Sequence, residues 1–88
     1  MTEQEAAKLL AKLGLPEHMQ EGVIGYLVHR IEPGGFLRAV LENDLMEAAS
    51  RADHINKHCL FEWAQLLYDL PRNTWGSKEV VSEWLRGK

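Results

Sequence analysis

The chain has a single cysteine, Cys59, in 88 residues. That excludes an intrachain disulfide framework and a zinc site built on several thiolates. No apolar run approaches the roughly 18 residues that a membrane-spanning helix requires. Strict alternation of apolar and polar residues, the mark of a half-buried strand, is also missing. There is no surplus of positive charge: 10 Lys and Arg face 13 Asp and Glu, for a net charge of −3 and an isoelectric point near 5.8. A general nucleic-acid binder carries a basic face, so nucleic acid is not the expected partner. The N-terminal "MTEQEAAKLL" is acidic and amphipathic, where a secretory signal is basic and then apolar. The expectation is a cytoplasmic protein without a membrane partner. No nucleophile, base and orienting group fall at recognisable spacing, and no phosphate-binding loop is present. Neither an enzyme nor a cofactor is expected.

What the chain has is helical periodicity, with 45% hydrophobic residues and three Trp. Thr2 and Glu5 form a capping-box pattern ahead of Ala6, Leu9, Leu10 and Leu13, and Gly14 supplies a stop. Pro16 and Glu17 open a second helix carrying the stripe Met19, Val23, Leu27 and Ile31. "EPGG" at 32–35 reads as a tight interhelix turn. From Phe36 to Leu70 apolar residues recur every three or four positions, a pattern that base rates of helix length favour dividing, with a break expected near 50–60 and Asp44 or Asp53 as caps. "LPRNTWGS" is a loop, and Ser77 caps a closing helix with Val80, Val81, Trp84 and Leu85 on its apolar face. The fold expected is all-α, a single domain over residues 1–88 made of four or five helices. So small a chain buries only about 60–65% of its unfolded surface, and a bundle this size is expected to complete itself as a homo-oligomer, most simply a dimer.

The stretch "NDLMEAASRADHINKH" at 43–58 concentrates polar groups on this pattern. One reading is a solvated helix face, with Glu47 and Arg51 as an i, i+4 pair. A second is a metal site from His54, His58 and Glu62, although the H-E-x-x-H spacing is absent. A third, a nucleophile at Cys59, conflicts with its place on the apolar stripe. The fourth is a pocket for an anionic or hydrogen-bonding ligand. There Arg51, His54, Lys57 and His58 would donate, Asn43, Asp44, Asp53 and Asn56 would orient, and Trp75 or Tyr26 would stack on a ring. Arg51 and Asp53 stand out, because helix ends are where polar groups converge.

The segment "IEPGGFLRAVLENDLMEAASRAD", with "YLVH" before it and "LPRNTWGSKEVVSEWL" after it, resembles a group of short proteins of bacteriophage and prophage genomes. Their pattern runs Y-x-x-H-x-I-x-P-G-x-F-L-x-A-V-L-x-N-D-L, then R-A-D-x-x-N, then W-G-S. The resemblance implies an accessory product that binds and disables a host component, either a defence protein or a nucleotide-like signal held between subunits. A small helix-turn-helix regulator, with "EPGG" as its turn, is the alternative; the acidic, apolar start of the following helix is ill suited to reading bases.

Overall fold

The computed structural model describes residues 1–87 and contains six α-helices and no strand among them. They are α1 (Glu3–Leu13), α2 (Glu17–His29), α3 (Gly35–Leu41), α4 (Leu45–Arg51), α5 (Leu60–Asp69) and α6 (Lys78–Arg86), with 3₁₀ turns at Asn56–His58 and Arg72–Thr74. The all-α class stands, and the helix count exceeds the expected four or five.

The helix ends follow local chemistry. Glu5 N–H donates to Thr2 Oγ1 at 3.1 Å, and Thr2 N–H donates to Glu5 Oε1 at 2.8 Å, so two otherwise orphaned donors are satisfied reciprocally. Gly14 closes α1 in the left-handed conformation, φ 72°, and the next residue, Leu15, turns into the core. Ser77 Oγ accepts from Val80 N–H at 3.2 Å and starts α6.

Helix α2 ends two residues earlier than its stripe suggests. Arg30 takes a left-handed conformation, φ 56°, so Ile31 falls outside the helix and is exposed. The cost of that backbone for a residue with a side chain, about 1–2 kcal/mol, is opposed by what the side chain does. Its guanidinium lies 3.7 Å from the centroid of the Trp84 ring and donates to the Trp84 carbonyl at 3.2 Å. Trp84 Nε1 in turn donates to the Tyr26 carbonyl at 2.8 Å, fastening α6 across the end of α2.

The long pattern from Phe36 to Leu70 breaks twice. The expected break spans 52–59. The other, at 42–44, is carried by Asn43 in the left-handed region, φ 63°, and by Asp44, whose Oδ1 accepts from Glu47 N–H at 3.1 Å. Apolar spacing runs unbroken through both breaks, but Leu45 and Ile55 on that stripe are exposed. The two breaks let α3, α4 and α5 fold back on one another around Leu41, Ala48, Trp63 and Leu66. Helix α3 buries five of its seven residues.

Among the described residues two polar side chains, Asn56 and Thr74, are fully buried, and the contacts of Asn56 fix the site described below. Its Oδ1 accepts from Trp63 Nε1 at 3.1 Å. The Trp63 ring meets Phe36 edge to face at 5.5 Å. On the other side of the core, Tyr26 is buried and donates its hydroxyl to the Thr74 carbonyl at 2.6 Å; burial pushes the phenol up to about 12. Tyr26, offered by sequence as a ring for stacking a ligand, is therefore a core residue.

Replacing Asn56 with Ala strands the buried Trp63 N–H, a loss of about 1–3 kcal/mol. In a domain of this size that lowers the melting temperature by about 4 °C or more, which thermal unfolding followed by circular dichroism would register.

Candidate functional site

The segment between α4 and α5 leaves helical conformation at Ala52, which is extended. Asp53 then folds the chain back: its Oδ1 accepts from Asn56 N–H at 2.7 Å, capping the 3₁₀ turn as an Asx residue does. Asn56 points inward to Trp63, and Asp53 is left facing the start of α2. There its Oδ2 lies 3.0 Å from His18 Nε2. Both side chains are about half exposed. The Asn56 N–H first, and His18 second, hold the Asp53 carboxyl below the usual carboxylate range.

Arg51, at the end of α4, forms the adjoining wall. Its Nε donates to Glu47 Oε2 at 2.7 Å, and its Nη1 passes over Gly35. A Cβ placed on Gly35 would come within 2.9 Å of that nitrogen. The glycine at the start of α3 is thus what lets the guanidinium lie against the backbone.

Arg51, Asp53, Asn56 and His18 line one cleft of about 250 Å³, with Gly22, Gly34 and Gly35 giving it depth and Met19, Phe36 and Leu37 its apolar floor. It offers donors from Arg51, an acceptor from Asp53, a histidine of either role, and an apolar floor. Such a cleft suits a polar, planar group. It contains no cysteine, serine or threonine to serve as nucleophile.

The remaining residues singled out by sequence lie elsewhere. Asn43 and Asp44 serve the turn into α4 and border an apolar groove on the α4–α5 side. Asp44 also lines a depression of about 600 Å³ that Arg51 lines as well. The cations of that depression are largely compensated: Arg38 pairs with Glu42 at 2.8 Å and with Glu32 at 2.9 Å, and Arg51 with Glu47. His54 and His58 meet edge to face at 5.3 Å on the surface, and Lys57 is exposed beside them. The three do not line the cleft. The break before α5 also removes Glu62 from the continuous helix that the histidine pair would need, and no group of three or more His, Cys, Asp or Glu among the described residues is placed to hold a metal ion. Cys59 packs against the core.

Trp75 is a core residue rather than a ligand platform. Its ring is buried, meets Tyr68 edge to face at 6.2 Å and carries the Arg72 guanidinium 5.0 Å from its centroid. Its Nε1 is buried without an acceptor.

The residues that sequence reasoning overlooked are His18 and the glycine pair as a lining. No local pattern reveals His18, since its partner Asp53 stands 35 positions away. "EPGG" was legible as a turn, but the passage of Arg51 over Gly35 is a tertiary fact. No family model, curated protein or solved structure matches the chain.

Because the Asp53 carboxyl is depressed by contacts of the folded state, it stabilises the fold above its unfolded value and loses that contribution as pH falls through its folded value. Glu5, lowered chiefly by its bond to Thr2, has the same sign. Urea unfolding should therefore show stability falling below about pH 4. An Asp53→Asn variant should show a shallower acid slope than the parent chain.

Proposed function

We propose that the chain is a non-enzymatic phage or prophage accessory protein of the bacterial cytoplasm that binds and sequesters a host component in the cleft between α2, α3 and the α4–α5 segment. The observation that carries this reading is the convergence of His18 from α2 with Arg51 and Asp53 from the α4–α5 segment on one cleft with an apolar floor. Groups of this kind recognise a ring with hydrogen-bonding edges and an attached anionic group, as in a nucleotide-like molecule: the floor takes the ring, Asp53 and His18 its polar edge, and Arg51 the anion. The volume, about 250 Å³, lies just under the roughly 300–1,000 Å³ usual for small-molecule sites. One ring system fits, and the rest of a larger ligand would extend past Arg51 into the neighbouring depression.

The helix-turn-helix alternative draws no support from α3. That helix would be the reader of the pair, yet it is seven residues long and mostly buried.

Native mass spectrometry of protein purified from bacteria should show a retained small molecule, which the Arg51→Ala variant retains poorly. The exposed pair with Glu47 is worth at most about 1 kcal/mol, so the variant should melt within a few degrees of the parent. Loss of a charge-assisted anchor should weaken ligand binding by about 1.5–3 kcal/mol. Unchanged retention in Arg51→Ala, or no retained molecule in the parent, would remove the basis of this reading.

A further inference from the structure

On helices α4 and α5, large apolar side chains are left in water. Leu45 is 69% exposed, Met46 79%, Phe61 70% and Tyr68 83%. Between the two helices runs an open apolar groove of about 210 Å³, walled by Val40, Leu45, Leu60, Trp63, Ala64 and Leu67. Ala64, a wall of that groove, stands between Phe61 and Tyr68 along α5, so the groove adjoins the two exposed rings. We infer that this face is the interface of a two-fold symmetric homodimer, in which α5 of one chain lies antiparallel against α5 of a second copy.

The arrangement of α5 leads to this register. Phe61 and Tyr68 stand two turns apart, about 10.5 Å along the axis, with the small, exposed Ala64 between them. A two-fold axis beside Ala64 sets Phe61 against Tyr68 of the partner subunit and Tyr68 against Phe61 of the partner subunit. The two alanines then face each other, where a small side chain lets the backbones approach. An isologous contact requires one patch to be complementary to itself, and rings flanking an apolar groove meet that condition.

The area is in keeping with a dimer. An aromatic side chain contributes about 150–250 Å² when fully buried, so Phe61 and Tyr68 at their observed exposures offer about 230–380 Å² per chain. Leu45, Met46 and the groove walls carry the face toward the about 800 Å² per partner of a standard interface. None of these residues lines the cleft of Arg51 and Asp53, so the dimer and the ligand reading stand or fall separately.

Sedimentation equilibrium across the micromolar range should give the parent chain a mass of twice 10.1 kDa. The double variant Phe61→Glu, Tyr68→Glu should be a monomer, its dissociation constant raised at least a hundredfold. It should keep the parent's helical circular dichroism, because both rings are exposed within one chain. Ala64→Cys in a Cys59→Ala background should form an intermolecular disulfide under mild oxidation, whereas Lys8→Cys on α1 in the same background should not. A monomeric parent would overturn the inference and leave the face to a foreign protein. A double variant that remains dimeric would place the interface elsewhere, and failure of Ala64→Cys to cross-link would overturn the antiparallel register.

Discussion

The arrangement of the site depends on one buried indole. Trp63 sits in the core, and its N–H finds an acceptor there. Asn56 supplies it, and for that the chain between α4 and α5 has to turn inward instead of continuing as helix. The inward turn fixes where Asp53 stands, and Asp53 in turn meets the first turn of α2. A hydrogen bond made inside the core thus determines what polar groups are displayed outside it. The edge-to-face contact of Trp63 with Phe36 connects the same indole to the floor of the cleft, so the wall and the floor share one anchor.

A second set of contacts closes the opposite end. Arg30 leaves the helical conformation and covers Trp84, while Trp84 and Tyr26 bond across to the α2 backbone and the loop before α6. Cation–π and hydrogen-bond contacts thereby secure a nine-residue helix that buries only Val81 fully. The two ends use the same device in different ways, an aromatic body in the core with its polar edge tied to another element.

Much of the fold was legible because its signals are local. Thr2 with Glu5, Gly14, Asp44 and Ser77 do in the structure what their residue types and spacing indicate. The division of the 36–70 pattern was only half legible. Spacings of three and four persist across Asn43 and across the 52–59 segment, and periodicity cannot distinguish a continuous stripe from one whose members at Leu45 and Ile55 have turned to solvent. Of the candidate site, Arg51, Asp53 and Asn56 were legible as polar groups at a helix boundary. Their roles were not: Asn56 serves the core, and the histidine that meets Asp53 is distant in sequence. Trp75 was ambiguous between core and ligand contact because a tryptophan in a loop of Pro, Asn and Gly gives no local sign of whether the loop folds over the core.

The two oxygens of Asp53 have separate obligations. One is committed to the backbone of its own turn, and the other meets an imidazole that is half open to water. An incoming donor that displaced His18 would therefore exchange one partner of the carboxylate without disturbing the other. The bond that shapes the loop and the contact that faces the cleft are divided within a single side chain, so exchange of the second would leave the shape of the loop intact.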